Sequence, residues 1–284
     1  MNKITEIIDT AEFRYIALRE DYYITTSLKY YGEYEPAEFS LLLPLIHEDS
    51  VVMDIGSNIG THTLAFAKKA ARGTVHAFEP QRFVYQILSG NVALNGFTNV
   101  KVHNLALGSE SSTVKLPIID YGIRSNFGGY DLRSAAGTMP AKYEETKIAT
   151  IDQFNIQRLD LIKMDVESME EDVLRGALKT LTRFRPPIYL EADRVNFREG
   201  IAPNTLRGFL QSIGYKMWLH SPGIVSKETI KKLQPIANTT DEDLIARLKE
   251  VQRCEALNML CVPQESNLVT EEFMNANNLF PAQI

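Results

Sequence analysis

A turn with two glycines beside a carboxylate is the first feature of this sequence that could bind a ligand. Asp54 ends a short apolar run, Gly56 and Gly60 follow it, and Asn58 lies between the glycines. The first glycine permits a tight turn, and the last permits close packing at an exposed helix N-terminus. Glu79 ends a second apolar run, where a carboxylate can accept hydrogen bonds from both hydroxyls of a ribose. Together these residues indicate a site for a nucleotide-like ligand.

The spacing of this turn disfavours the common phosphate-binding loops. A dinucleotide loop has a glycine where this chain has Asn58, and a Walker loop needs a Gly-Lys-Ser/Thr sequence that is absent. The carboxylate of Asp54 would also repel a pyrophosphate. It suits a ligand that carries an ammonium group and a sulfonium charge, so the turn favours S-adenosyl-L-methionine as the cofactor.

Alternating strands and helices must position these residues. Such alternation predicts right-handed βαβ units, hence an α/β fold with a mostly parallel sheet and helices on both faces. In such a sheet, ligands bind beyond the carboxyl ends of the strands, where Asp54 and Glu79 lie. The predicted strands are 51–55, 74–78, 100–103, 159–164, 187–190, 215–219 and 258–262, and the predicted helices are 36–46, 61–71, 83–94, 170–181 and 205–213.

Some regions fall outside this alternation. Residues 1–50 are rich in tyrosine and are interpreted as a helical, aromatic cap. Residues 51–265 form the predicted main domain, and residues 266–284 form a C-terminal tail. The main domain contains insertions at 108–150 and 224–256. Insertions as long as 108–150 are usually functional or have their own structure. Within it, residues 124–129 could form a lid with a polar tip or an ordinary exposed turn.

Composition narrows the function classes. The 284 residues carry a net charge of −6, which disfavours nucleic acid as a partner. Cys254 and Cys261 make no disulfide framework, which favours a reducing compartment. The N-terminus lacks the apolar core of a signal peptide, and no run reaches the ~18 apolar residues of a membrane span. We therefore expect a cytoplasmic enzyme, which could be a homodimer, with a small-molecule or saccharide substrate.

A set of ordered motifs between about residues 30 and 220 resembles the FkbM-type methyltransferases. Residues 51–60 resemble the family's VDIGANIG turn, and residues 76–80 resemble its AFEP strand end. Further matches are residues 32–36 before the first strand, 91–96 at a helix end, 104–108 after the third strand, and 161–170, which resemble IKIDVEG-E. The resemblance implies a Rossmann-like class I methyltransferase fold with seven strands, the last of them antiparallel.

The resemblance also implies roles for individual residues. Glu79 would hold the ribose of S-adenosyl-L-methionine, and Asn104 and Ala106 would lie near its adenine. Residues 32–35 would fold over its methionine end. Ser168 replaces a family glycine, a change expected to bear on the acceptor more than on the cofactor. The full predicted cofactor set is Tyr34, Glu35, Asp54, Gly56, Ser57, Asn58, Gly60, Thr61, Glu79, Pro80, Asn104, Ala106 and Asp165.

Carboxylates after the fourth and fifth strands are candidates for the reaction centre. Methyl transfer from a sulfonium needs mostly positioning, although a general base helps an alcohol acceptor. Asp165 is the first candidate, with binding of the cofactor's ammonium or helix capping as its alternative roles. Glu167 and Glu191 are further candidates for a catalytic base or acceptor ligand. Together with Asp193 these residues could build a divalent metal site, but no metal is predicted from the sequence.

Alternatives to catalysis remain open at this point. The expected function is methylation of a hydroxyl on a small molecule, sugar or glycan. A non-catalytic scaffold that binds S-adenosyl-L-methionine is the second interpretation, and a nicotinamide-dependent oxidoreductase is the third. His62, just past the glycine turn, could face the pocket but is interpreted as a packed histidine.

Overall fold

The computed structural model describes residues 4–128, 142–166, 169–191, 204–220 and 258–281. The predictions for Glu167, Ser168, Asp193, Cys254 and the insertion at 224–256 lie outside these ranges.

The opening segment begins with a β-hairpin. Strand β1 (Thr5–Asp9) pairs antiparallel with β2 (Arg14–Leu18), and helices α1 (Ile24–Tyr31) and α2 (Pro36–Leu42) follow. The helical prediction for residues 1–50 is therefore wrong for the hairpin. A distant residue stabilises β2: the side-chain amide of Asn91 accepts from the backbone N–H of Ile16 and donates to its carbonyl oxygen.

An eight-stranded sheet lies at the centre of the protein. The remaining strands are β3 (Val51–Ile55), β4 (Thr74–Phe78), β5 (Val100–His103), β6 (Ala106–Leu107), β7 (Ser112–Pro117), β8 (Tyr143–Ala149), β9 (Leu161–Met164), β10 (Ile188–Glu191), β11 (Tyr215–His220), β12 (Asn258–Pro263) and β13 (Leu279–Pro281). The order in the central sheet is β13-β11-β12-β10-β9-β3-β4-β5. A small second sheet has the order β6-β8-β7, and its strands β7 and β8 lie within the insertion at 108–150.

The strand directions confirm the predicted Rossmann-like class I methyltransferase fold. Strands β5, β4, β3, β9 and β10 are mutually parallel, and β12 runs antiparallel between β10 and β11. Strand β13 adds an eighth strand that the sequence did not predict, because its residues had been assigned to a tail at 266–284. That segment instead completes the edge of the sheet beside β11.

Helices cover both faces of the sheet. They are α3 (Thr61–Lys69), α4 (Arg82–Leu94), α5 (Glu170–Arg175), α6 (Leu178–Phe184), α7 (Asn204–Ser212) and α8 (Glu271–Ala276). Neighbouring residues of β9 point to opposite faces, so that Ile162 shares a buried cluster with Leu181 of α6, and Leu161 shares another with Phe66 of α3. Within the described ranges, no helix has the length and apolar composition that a bilayer span needs.

The predicted helix over 170–181 is divided into α5 and α6. The division falls at Gly176, where a Cβ atom would lie 2.0 Å from the carbonyl oxygen of Gly108. The chain therefore turns where two backbones are in contact. The parallel strands bring Asp54, Glu79, Asp165 and Glu191 to one edge of the sheet.

Candidate functional site

A cavity of about 300 Å³ opens at the carboxyl edge of the sheet. It extends from the end of β4 to the start of β12, and residues of helices α1 and α2 also line it. Asp54, Gly60 and Asn104 do not contribute to its wall. The predicted residues that do line it are Tyr34, Glu35, Gly56, Ser57, Asn58, Thr61, Glu79, Pro80, Ala106, Asp165 and Glu191.

The glycine turn is shaped by contacts within the protein. Gly56 has a φ of +78°, and a Cβ atom there would lie 1.7 Å from the carbonyl oxygen of Asp165. Asn58 has a φ of +49°, a left-handed conformation that asparagine adopts more readily than most residues. Gly60 has a φ of +96° and is the N-cap of α3. Glycine at position 56 is thus required by the closeness of β9.

Asp54 lies beneath the turn and is fully buried. Its Oδ2 accepts a hydrogen bond of 2.5 Å from the Thr63 hydroxyl, and its Oδ1 has no hydrogen-bond partner among the described residues. The hydroxyl of Ser57 donates to the backbone carbonyl of Asp54. Asp54 therefore supports the turn and places negative charge under it, without reaching the cavity.

Glu79 lies on the cavity wall with both carboxylate oxygens positioned by the backbone. The N–H of Asn58 donates to Oε2 at 3.0 Å, and the N–H of Gln81 donates to Oε1 at 2.9 Å. A carboxylate offers about four acceptor positions, so further donors can still bind. Burial raises the pKa of Glu79 to about 7. Asn104 supports this strand end, because its side-chain amide donates to the carbonyl of Glu79 at 2.9 Å.

The first part of the insertion at 108–150 covers the side of the cavity near Glu79. The hydroxyl of Tyr121 donates to the side chain of Gln81 at 3.0 Å, and Gln81 in turn donates to the carbonyl of Phe127. Asn126 and Gly128 thus border the cavity, and a lid formed by residues 124–129 stays a prediction.

Asp165 faces the cavity and pairs with a lysine that the sequence analysis missed. The Lys163 ammonium lies 3.5 Å from Oδ2 of Asp165. Burial alone would lower the pKa of Lys163, but Asp165, Asp54 and Glu38 raise it above its usual value. Lys163 is the only lysine or arginine on the described part of the wall. A lysine inside the apolar strand Leu161–Met164 was the available signal.

A second group of ionisable side chains lies where α2 meets the start of α3. Glu38 is buried, its Oε2 lies 3.1 Å from Nε2 of His62, and its Oε1 accepts from the amide of Asn258 at 2.5 Å. Burial raises the pKa of Glu38 to about 7. Burial and the neighbouring Glu38 raise that of Glu35 to about 8. Burial and Lys163 lower the pKa of His62 to about 4, so this histidine is neutral.

The polar network continues along the far wall. Asn258 also donates to the hydroxyl of Tyr189 at 2.9 Å, and this oxygen lies 2.7 Å from Nδ1 of His220. Glu38, Tyr189 and Asn258 were not predicted from the sequence, and His62 was interpreted as a packed residue. His62 is indeed buried, but it also lines the cavity. Glu191 lines the cavity as predicted.

The strand order and the glycine turn at the carboxyl edge define a class I methyltransferase fold. The family described as Methyltransferase FkbM domain matches residues 54–217. The chain belongs to this family, which confirms the resemblance noted in the sequence.

Relatives of known name are similar over about half of the chain. Methyltransferase 1 of Beauveria bassiana is 26% identical over 157 residues, which cover 45% of this chain and 59% of that protein. Hexuronic acid methyltransferase AglP of Haloferax volcanii is 31% identical over 141 residues, which cover 50% of this chain and 55% of that protein. The matches thus span little more than half the length of these relatives. A crystal structure of methyltransferase FkbM from Methylobacillus flagellatus superposes with a TM-score of 0.48 at 15% identity, covering 82% of this chain and 49% of that one.

Proposed function

We propose that this chain is an S-adenosyl-L-methionine-dependent methyltransferase that methylates a hydroxyl of a small molecule, sugar or glycan. The position of Glu79 carries the proposal. Its carboxylate is held by the backbone of Asn58 and Gln81 at the end of β4, and it faces the cavity with acceptor positions to spare. Such a carboxylate suits the two hydroxyls of a ribose.

The charge around the cavity supports a cationic cofactor. The carboxylates of Glu79, Asp165 and Glu191 line the wall, and Lys163 is the only lysine or arginine on its described part. A pyrophosphate would be repelled here, whereas a sulfonium and an ammonium would be attracted. S-adenosyl-L-methionine presents both of these groups, and when bound it supplies an activated methyl group.

Residues near the end of β9 position the acceptor. Asp165 is exposed to the cavity, so it can accept a hydrogen bond from an acceptor hydroxyl or from the ammonium of the cofactor. Lys163 holds this carboxylate from below at 3.5 Å. Positioning accounts for most of the catalysis that a methyl transfer needs. Glu191, the last residue of β10, and Glu167, which follows β9 in the sequence, are the further candidates for contact with the acceptor.

The far wall suits a hydroxylated acceptor. The side chains of Tyr189 and Asn258 line the cavity and offer hydrogen-bonding groups. One relative is named as a hexuronic acid methyltransferase, so we include uronic acids with neutral sugars and glycans among the acceptor classes.

The test begins with isothermal titration calorimetry using S-adenosyl-L-methionine and, separately, NAD. We expect binding of the first and none of the second; the reverse result would favour an oxidoreductase. Transfer is then followed with methyl-labelled cofactor against neutral sugars, uronic acids and amino sugars. NMR of the product distinguishes an O-methyl from an N-methyl group. Tight cofactor binding without transfer to any acceptor of the panel would favour the scaffold interpretation.

A further inference from the structure

Glu35, Glu38 and His62 form a cluster of potential metal ligands. One ligand atom from each residue lies within 4.8 Å of the other two. Glu35 is the N-cap of α2, Glu38 lies in its first turn, and His62 lies in the first turn of α3. The cluster is thus positioned by the starts of two helices and lines the cavity.

His62 points an unsatisfied nitrogen into this cluster. The residue is 3% exposed, and its Nε2 has no hydrogen-bond partner among the described residues. This nitrogen is nevertheless 3.1 Å from Oε2 of Glu38, without the alignment of a hydrogen bond. Two ligand atoms bound at right angles to one cation, each at about 2.1–2.2 Å, lie about 3.0–3.1 Å apart. The spacing of Glu38 and His62 is therefore compatible with two adjacent ligands on a metal ion.

The surroundings leave negative charge to be balanced. Glu35 and Glu38 share the cavity with Asp165, and Asp54 lies below it, while Lys163 faces all of these groups. Glu38 is buried and Glu35 is partly buried, and two carboxylates so close together are costly unless a cation compensates them. A divalent cation would offset the charge of both carboxylates and bind the unpartnered Nε2 of His62.

We infer that Glu35, Glu38 and His62 bind a divalent cation at the acceptor end of the cavity. Two carboxylates and one imidazole suit Mn²⁺ or Zn²⁺, which accept both oxygen and nitrogen ligands. Three protein ligands leave coordination positions open for oxygen atoms of a bound molecule.

The location of the cluster suggests what these open positions bind. Glu38 contacts Asn258 at the start of β12, whereas Glu79 lies at the end of β4, on the other side of β3. With a ribose at Glu79, the cluster lies at the opposite end of the cavity. Resting on the proposed function, we assign the cation to the acceptor, whose hydroxyl or carboxylate oxygens it would bind. It would also offset the repulsion between an anionic acceptor and the acidic wall.

The experiment measures Mn²⁺ binding to the untagged, chelator-treated full chain without S-adenosyl-L-methionine. We expect calorimetry to give one site with a dissociation constant below about 100 μM, and pulsed electron paramagnetic resonance to show coupling to the ¹⁴N of one imidazole. The wild-type spectrum does not depend on any variant folding correctly. Binding of S-adenosyl-L-methionine is titrated separately, so failure of the cofactor assignment and failure of the metal site give different results.

Variants separate this site from other metal binding. Glu38→Gln and His62→Gln should each weaken Mn²⁺ binding at least tenfold, and His62→Gln should remove the imidazole coupling. The matched control is His103→Asn, since the Nε2 of His103 also makes a close contact, 3.3 Å from Nδ1 of His76, and His103 does not line the cavity. This control should bind Mn²⁺ as the wild type does. The inference is overturned by absence of Mn²⁺ binding, by binding without ¹⁴N coupling, or by equal affinity in all three variants.

Discussion

The ammonium of Lys163 lies 3.5 Å from Oδ2 of Asp165, and the two side chains differ sharply in exposure. Lys163 is 6% exposed at its side chain, whereas that of Asp165 is 40% exposed. The buried cation therefore fixes the direction of a carboxylate that faces the cavity. It also compensates Asp54 and Glu38, which raise its pKa together with Asp165.

Replacing Lys163 with methionine should destabilise the protein in a pH-dependent way. The Lys163→Met variant leaves buried carboxylates without their cation, and loss of one partner of a buried pair costs about 3 kcal/mol. Glu38 and Glu35 have pKa values of about 7 and about 8, so they are largely protonated at pH 6 and charged at pH 8.5. The loss of unfolding free energy should thus be larger at pH 8.5, as measured by urea unfolding of the ligand-free protein.

The matched control for this prediction is Lys101→Met, which removes an exposed lysine from strand β5. We expect it to change the unfolding free energy by less than about 0.5 kcal/mol at either pH. If Lys163→Met lost the same free energy at pH 6 and pH 8.5, compensation of the carboxylates would not be its role.

Substitution of Asp165 should separate catalysis from cofactor binding. The Asp165→Asn variant keeps the size of the side chain but loses its charge and basicity. We expect turnover to fall about 10²–10⁴-fold, the range for loss of a positioned acid or base. Cofactor affinity should change less than about tenfold, since Glu79 keeps its contacts. Steady-state kinetics and calorimetry measure the two effects, with Asp120→Asn at an exposed turn as the control. Near-normal turnover would exclude Asp165 from the reaction centre.

Substitution of Glu79 should weaken cofactor binding. Hydrogen bonds to a charged group contribute about 1.5–3 kcal/mol each, so Glu79→Gln should raise the dissociation constant of S-adenosyl-L-methionine by about 10–100-fold. Calorimetry measures this change directly. Glu145→Gln, at an exposed position of β8, is the control and should bind as the wild type does. Unchanged affinity in Glu79→Gln would remove this residue from the cofactor site.

The same residue predicts a pH dependence of binding. Burial raises the pKa of Glu79 to about 7 in the protein without ligand, and the charged form is the better acceptor for ribose hydroxyls. The wild-type affinity should therefore fall as the pH decreases below 7. The loss should level off at low pH at roughly the 10–100-fold expected for Glu79→Gln, whose side chain is neutral at every pH. In Glu79→Gln this pH dependence should be absent or much smaller, because position 79 no longer titrates. Any pH dependence left in this variant would come from Glu35 and Glu38, which also have raised pKa values.

The sequence predicted most of the sheet because each strand has a local signal. The apolar runs ending at Asp54 and Glu79 correspond to β3 and β4, and parallel pairing brings their ends together. The hairpin of β1 and β2 lacked such a signal, since Asn91, far along the chain, stabilises β2. The break between α5 and α6 depends on contact of Gly176 with the backbone of Gly108.

Two candidate residues could be located from the sequence because they lie at strand ends. Glu79 and Asp165 lie at strand ends, and the structure places both on the cavity wall. Glu38 was missed, because its partner Asn258 is 220 residues away and the contact exists only in the folded protein. Lys163 was missed because the role of a lysine within a short apolar strand depends on carboxylates that only the folded protein brings close to it.

Alanine at Gly56 should disrupt the turn, whereas alanine at Gly208 should not. A Cβ atom on Gly56 would lie 1.7 Å from the carbonyl oxygen of Asp165, and its φ of +78° is unfavourable for alanine. We expect Gly56→Ala to lose about 3 kcal/mol or more of unfolding free energy and to lose cofactor binding. Gly208 lies within α7, where a Cβ atom would meet no heavy atom within 4 Å, so Gly208→Ala should gain about 0.5–1 kcal/mol. Urea unfolding of both variants compares Gly56, where the backbone has no room for a side chain, with Gly208, where it has. Wild-type stability in Gly56→Ala would contradict the close contact between the turn and β9.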